Sequence, residues 1–405
     1  MSNAPTVLFV GAGRHQRRAL QRLKKLGARL VAVDRNAEAP GLPVADVAEV
    51  VDFTDAGAVA EVGRRHRVEG VMTFAADRAV PVVARVAELL ELPGIGSETA
   101  HLMTNKIAMR RRLADAGVSQ PRFAAIRHVR EVRAAADAVG FPGVLKPADS
   151  AGQRGLFLVK SRDDLERHLH AALAQSTEEE AILESYHAGL EVNGLLVARD
   201  AAVTVVTLSD RRRPPGLGFG VAVAHVYPST LFGDALEDVE RVGRSTVHAL
   251  GLRDGIAYPQ VISGDDGVAR LIEVAARIPA GQMDLVALHG VGVDLIAIAL
   301  LQALGQPVPD ELVQPRRQQP MAISFLTAKP GPLPTGRLVQ VAGLEKVLAF
   351  PGVVAADLYF QEGETIRPVQ VDGDRRGYVI AVGTTNLEAV ERAEAAARLL
   401  DVEVA

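Results

Sequence analysis

The chain has 405 residues, 48% hydrophobic and 23% charged, with a formal net charge of −4 and neither cysteine nor tryptophan. That length exceeds what one hydrophobic core organises, so two or three domains are expected. The charge supplies no field for drawing in nucleic acid or an anionic membrane, and aromatics at 4% argue against stacking platforms for single strands; absent cysteines exclude disulfides, thiolate metal sites and cysteine nucleophiles.

Residues 1–5 lead straight into the apolar run Thr6-Val7-Leu8-Phe9-Val10. No charged segment precedes a hydrophobic one there, so no signal peptide is expected and the cytoplasm is the default location. No apolar stretch approaches the roughly 20 residues of a bilayer span. Residues 291–304 come nearest, but Asp294 interrupts them and they read as a buried helix.

From residue 6 to about 105, strands alternate with helices. Strands are expected at 6–10, 29–33 and 70–74, and helices at 14–26, 58–66 and 81–90. This alternation implies a doubly wound parallel sheet. Gly11-Ala12-Gly13 follows the first strand, and Asp34 ends the second. In a dinucleotide fold such glycines admit a pyrophosphate and the acid takes a ribose. Gln16 occupies the third glycine position, where a bulky side chain obstructs close packing, so a tight turn is the favoured reading.

The pattern changes after residue 105. Helices are expected at 105–116, 131–139, 162–174, 236–250 and 284–304. Strands are expected at 143–147, 156–160, 181–185, 190–197 and 202–208, with two more around Gln260 and Glu273. A loop with proline and glycine spans 211–220; its Arg211-Arg212-Arg213 run reads as solvated. Residues 306–320 are polar and proline-rich, a linker. Strands at 322–326, 353–358, 365–371 and 378–383, closed by a helix over 387–400, suggest a small α+β unit. The fold class is therefore mixed α/β and α+β, divided near 1–105, 106–305 and 321–405.

Several polar groups sit where an anion needs them. Lys146 ends an apolar strand just before Asp149-Ser150-Ala151-Gly152-Gln153-Arg154-Gly155, and a fixed ammonium beside a flexible glycine loop makes a phosphate clamp. No Gly-Lys-Ser/Thr triplet opens a helix, so this is not a P-loop. Glu184-Ser185-Tyr186-His187 and Glu191 flank a strand turn. Backbone groups of such a linker suit an adenine edge, and an inward carboxylate suits ribose hydroxyls; a solvated surface hairpin is the alternative. Finally, Leu271-Ile272-Glu273-Val274-Ala275-Ala276-Arg277 delivers a carboxylate and then a guanidinium, with Gln260 thirteen positions ahead of Glu273. Oxygen ligands suit a hard cation, and positive charge beside them suits a phosphoryl group in transfer.

Taken in order, Lys106, Lys146 with its loop, Glu184 with Glu191, and Gln260, Glu273 and Arg277 resemble the ATP-grasp superfamily. The resemblance covers nearly the whole chain. Ile272-Glu273-Val274-Ala275-Ala276-Arg277 with Gly281, and the later Ala381-Val382-Gly383-Thr384, are most similar to L-amino acid ligases that form dipeptides. It implies an N-terminal Rossmann-like domain, a two-lobed ATP-grasp domain and a C-terminal ligase domain. It implies a carboxylate–amine ligase that forms an amide or dipeptide through an acyl phosphate, releasing ADP and phosphate. Lys106 and Lys146 would hold ATP phosphates, with Arg211 a further contact. The loop bearing Ser150, Gly152 and Gly155 would close over them. Glu184, Ser185 and His187 would meet adenine and Glu191 the ribose. Glu273 and Gln260 would hold magnesium or manganese, and Arg277 would be the catalytic guanidinium at the acyl phosphate.

Two positions depart from the pattern. Gln260 stands where these enzymes carry a metal-binding acid, and Ala275 where many superfamily members carry Asn. The expected partners are a small carboxylate, an amino acid in the first instance, and an amine; nucleic acid and membrane are not expected, and a homodimer is in keeping with similar enzymes. The alternatives are another ATP-grasp ligase or carboxylase chemistry, a non-catalytic nucleotide-binding protein, and an NAD-dependent oxidoreductase using Gly11, Gly13 and Asp34.

Overall fold

Val47–Val50, Arg29–Asp34, Thr6–Val10 and Gly70–Met72 lie side by side, in that order, as a parallel sheet in a computed structural model that describes residues 4–214, 220–361 and 363–405. Both faces are covered, which is why the strands read as unbroken apolar runs. Leu8, Val10, Val31 and Val33 pack with Val59 and Val62 of helix Ala56–His66 and with Val82 and Val86 of helix Val80–Leu89. Val7, Phe9, Leu30 and Ala32 face Leu20 and Leu23 and share a core with Leu295 and Ile298 of helix Leu295–Ala303. This shared core fixes the N-terminal sheet to the middle of the molecule.

The glycine turn after the first strand is filled from within. Asp34 accepts the Ala12 N–H at 2.7 Å and the Asn36 N–H at 2.9 Å. The Gln16 amide donates to the Phe74 carbonyl at 2.8 Å. Both side chains are buried. The acid that would take a ribose is already engaged, and Gln16 occupies the turn, which counts against the nicotinamide reading.

A smaller antiparallel sheet runs Phe123–Ile126, Ala181–Ser185, Gly143–Pro147, Phe157–Val159. Strand alternation divides its residues between two faces. Leu145 and Leu183 join Ile126 and Val159 under helices Val132–Val139 and Arg162–Leu173. Val144, Lys146 and Glu184 therefore point the other way, into a cleft.

Across that cleft stands an eight-stranded sheet. Its order is Ala269–Ala275, Gly255–Gly264, Gly189–Arg199, Ala202–Arg212, Ala224–Tyr227, Met321–Phe325, Gly377–Val382, Val353–Leu358, with antiparallel pairing throughout. Helix Gly233–Ala249 covers one face through Val239, Val242 and Val247 against Val192, Leu196, Ala257 and Val261. The opposite face presents Glu273, Gln260, Glu191, Asn193, Arg211 and His225 in adjoining rows. Residues 321–405, expected as a separate unit, give three of their strands to this same sheet. Gly336–Ala342, Thr365–Ile366 and Asp401–Val404 form a small satellite sheet.

The single helix expected over 284–304 is instead broken. Met283–Leu285 and a wide turn over Val286–Val291 meet Leu295–Ala303 at 112°. Gly292, at φ 81°, permits the corner, and Asp294 restarts the helix by accepting the Ile296 and Ala297 N–H groups. Several short or amphipathic elements were not expected at all, among them strands Phe123–Ile126 and Ala224–Tyr227 and helix Ser97–Leu102. The loop expected over 211–220 falls partly on 215–219, outside the described residues. Among the described residues no single helix is long and apolar enough to cross a membrane.

Candidate active site

A cleft lies between the two antiparallel sheets, and residues of both line it. Lys106, Lys146, Ser150, Gly152, Glu184, Ser185, His187, Glu191, Arg211, Gln260 and Glu273 all line it, so segments more than 150 residues apart meet as the sequence pattern anticipated.

Charge on its roof is compensated inside the protein. Asn105 caps helix Lys106–Asp115 by accepting the Ile107 and Ala108 N–H groups. The helix then places Lys106 and Arg110 one turn apart on its buried side. The Lys106 ammonium donates to the Ser150 carbonyl at 2.7 Å and stands 3.4 Å from the Glu273 carboxylate. Arg110, fully buried, donates to Glu184 at 2.8 Å and to the Leu271 and Ile272 carbonyls at 2.9 and 2.6 Å. It thereby ties the small sheet to the edge of the large one. Lys146 donates to the other Glu184 oxygen at 2.6 Å. Burial pushes the Glu184 carboxyl up, but the Arg110 and Lys146 charges outweigh it and hold the group at about 2.

Glu184 was expected at the adenine hinge; its side chain instead serves as counter-ion to Lys146 and Arg110. The hinge itself is strapped in place. The Ser185 and Tyr186 N–H groups donate to the Arg122 and Pro142 carbonyls at 2.9 and 3.1 Å, and Ser185 Oγ lies 2.9 Å from His187 Nε2. Glu191 accepts from Arg211 at 2.6 Å and lies 3.2 Å from Arg213. Arg211 also donates to the Gly220 carbonyl. In the loop over the cleft, Gly155 sits at φ 70°, and a Cβ there would come within 2.8 Å of Pro147. Ser150 Oγ and Gln153 Oε1 of that loop are buried without a partner.

Gln260 and Glu273 face each other across paired strands. One carboxylate and one amide oxygen suit a hard divalent cation whose other ligands are phosphate oxygens and water. Among the described residues no three His, Cys, Asp or Glu side chains converge into an all-protein metal cage.

A second cavity adjoins the first and shares Ala151, Gly152, Gln153, Arg211, Gln260 and Glu273 with it. Asp77, His225, Tyr258, Arg277, Asp372 and Arg375 are the other polar side chains of its lining. Arg277 donates one nitrogen to Asp77 of the N-terminal unit at 2.6 Å, while its Nε and Nη1 are buried without a partner. Burial lowers the Arg277 pKa, but Asp77 more than reverses this and the group stays charged. Arg375 lies 4.0 Å over the Phe325 ring, donates to the Ala222 carbonyl and sits 2.8 Å from Asp372.

His225 lines this cavity. Arg14, His15 and Gln282 gather instead around Tyr359, and Met283 is wholly buried in the core. Arg110, Asp77, Asn193, Asp372 and Arg375 escaped sequence reading. Each lies in an ordinary helix, turn or strand, and its local pattern does not single it out from its neighbours.

Comparison with known proteins places this geometry. The model of the carbamoyl-phosphate synthase L chain ATP binding domain matches residues 105–311, that of the ATP-grasp N-terminal domain 21–94, and that of the L-amino acid ligase C-terminal domain 2 residues 331–405. A formate-dependent phosphoribosylglycinamide formyltransferase of Synechococcus sp. (strain CC9605) is 28% identical over 98% of this chain and 97% of its own length. One from Ignicoccus hospitalis is 27% identical over 99% and 97%. Among solved structures, an L-amino acid ligase from Bacillus licheniformis superposes with a TM-score of 0.85 at 20% identity, covering all of both chains. A phosphoribosylglycinamide synthetase from Anaerococcus prevotii gives 0.78 at 18% identity over 99% and 100%. These structures establish that the whole chain has their fold.

Proposed function

This chain belongs to the family of the carbamoyl-phosphate synthase L chain ATP-binding domain, within the ATP-grasp superfamily, and is an ATP-dependent, ADP-forming carboxylate–amine ligase; we propose that it joins the carboxylate of one amino acid to the amine of a second. The observation that carries this reading is the second cavity. It opens from the nucleotide cleft across Gln260 and Glu273, and it sets two acids, Asp77 and Asp372, among the guanidinium groups of Arg277 and Arg375. Mixed charge of this kind suits a zwitterion. Asp372 and Arg375 also fall within the stretch matching the L-amino acid ligase C-terminal domain 2.

Lys106 and Lys146 hold the triphosphate, Arg211 adds a contact at its rim, and the loop bearing Ser150, Gly152 and Gly155 closes over it. The hinge at Ser185–His187 receives adenine, with Glu184 acting behind it as the counter-ion that keeps Lys146 extended, and Glu191 takes the ribose. Glu273 and Gln260 would hold magnesium, which would neutralise phosphate charge. The substrate carboxylate attacks the γ-phosphorus, the bond to the β-phosphate oxygen breaks, and ADP leaves. The free N–H groups of Arg277 meet the charge on the resulting acyl phosphate. The second substrate's amine then attacks the acyl carbon, loses a proton, and phosphate departs. Positioning and charge supply the catalysis, since phosphoryl transfer asks little covalent help of a protein. Loop closure keeps water from the acyl phosphate.

A second reading draws on the relatives of nearly full length, whose name specifies formate and phosphoribosylglycinamide. The test is a matrix of amino acids taken in pairs, set beside formate with glycinamide ribonucleotide, with ADP release and product mass measured together. ADP formation coupled to a dipeptide mass supports the proposal. ADP formation only with formate and the ribonucleotide replaces it with the second reading.

A further inference from the structure

Among the charged groups of the second cavity sits one buried imidazole. His225 lies on the cleft face of strand Ala224–Tyr227, beside Arg211 in register, with its ring edge-on to Phe325 at 5.4 Å. It is 5% exposed. Its Nδ1 is 2.9 Å from Nδ2 of Asn193, a wholly buried residue two strands away. Its Nε2 lies beside Gly281, which lines the cavity with it: a Cβ placed there would stand 3.6 Å from that nitrogen.

An amide nitrogen only donates, so the nitrogen it meets must carry a lone pair, and the imidazole proton then resides on the other one. We propose that Asn193 is a positioning residue that locks His225 as the Nε2–H tautomer, turning it into an uncharged hydrogen-bond donor aimed at a carboxylate or acyl-phosphate oxygen of the substrate acid. The surroundings keep the ring neutral. Burial lowers its pKa well below the usual histidine value, and the nearby Arg375 and Arg211 charges act in the same direction. A neutral donor adds directional recognition without a further cation in a cavity that already holds Arg211, Arg277 and Arg375. Asn193 Oδ1 and the hydroxyl of Ser209, its neighbour in register, are both buried without partners, so the contact to His225 is the one side-chain hydrogen bond that orients the amide among the described residues.

This inference rests on the reading that the second cavity receives the substrate acid, but its first test does not. The ring ¹⁵N shifts of His225 in the free, full-length protein report the tautomer directly. A protonated Nε2 with a bare Nδ1 is the expected pattern, and a protonated Nδ1 overturns the inference even if the ligase reaction is confirmed. Conversely, a correct tautomer in a protein that forms no ADP with any acid strikes the functional reading and not this one. The second test uses Asn193→Leu, which keeps volume and removes the amide. Mixed tautomers and a fall of about tenfold to a hundredfold in kcat/KM for the acid are expected, with nucleotide affinity unchanged. His225→Gln, which retains a neutral amide donor near the Nε2 position, should keep more activity than His225→Leu, and adding Asn193→Leu to it should cost little. Unchanged tautomer and unchanged kcat/KM in Asn193→Leu would refute the role.

Discussion

The two sides of the active cleft handle charge in opposite ways. On the small sheet, Glu184 accepts from both Lys146 and Arg110, and every member of that triad is buried. On the large sheet, Arg277 engages Asp77 with one nitrogen and leaves two buried N–H groups without partners. The first arrangement stabilises the empty protein and fixes a lysine in place. The second withholds hydrogen bonds that only a ligand completes. On the proposed function, the saturated cluster would grip the nucleotide, and the guanidinium with open N–H groups would meet the reacting atoms.

That contrast can be broken most forcefully at Glu184. Replacing it with Gln leaves Lys146 and Arg110 buried without their counter-charge, which should cost about 3–5 kcal/mol of stability in chemical denaturation. A loss below 1 kcal/mol would mean that the triad is solvated and the contrast unreal. The other side predicts a different signature. Arg277→Ala should lower turnover by about 10²–10³-fold, equivalent to roughly 3–4 kcal/mol of transition-state stabilisation, with nucleotide affinity nearly intact. Equal loss of both would move Arg277 to the gripping side.

Acid sharpens the comparison. The Arg110 and Lys146 charges, outweighing burial, hold the Glu184 carboxyl at about 2 in the folded protein, below the usual glutamate value of 4.5. A depressed carboxylate contributes stability that is complete above the unfolded value and disappears as pH falls through 4.5 towards 2. The stability gap between wild type and Glu184→Gln should therefore narrow over that interval; a constant gap would point to packing and not charge. A smaller effect is expected at the metal. Gln260→Glu sets a second carboxylate opposite Glu273 and should lower the magnesium concentration for half-activity by roughly tenfold. The smallest is a null. Saturating Mg-ATP should raise the melting temperature, while NAD should leave it unchanged because Asp34 and Gln16 fill their own turn.

Much of this was legible in the sequence. The apolar runs of the N-terminal strands, the lysine ahead of the glycine loop and the Glu273–Arg277 spacing are local patterns, and the structure brings Lys106, Lys146, Glu191, Gln260 and Glu273 to one cleft. What could not be read depends on distance in the chain. Glu184 looked like a hinge residue because its partner Arg110 lies 74 positions away. Asp77 and Asn193 carry no local signal, since each acquires its role from a partner at 200 and 32 positions. The bend at Gly292 does carry a local signal, since Gly290, Gly292 and the N-cap residue Asp294 fall together inside the apolar run, but hydrophobic periodicity alone reads across them.

The account stands or falls on an oxygen atom. With the substrate carboxylate labelled with ¹⁸O and paired with the amine that supports ADP release, one label per turnover should appear in the inorganic phosphate, carried there through the acyl phosphate. Product formed with no label in the phosphate would contradict it.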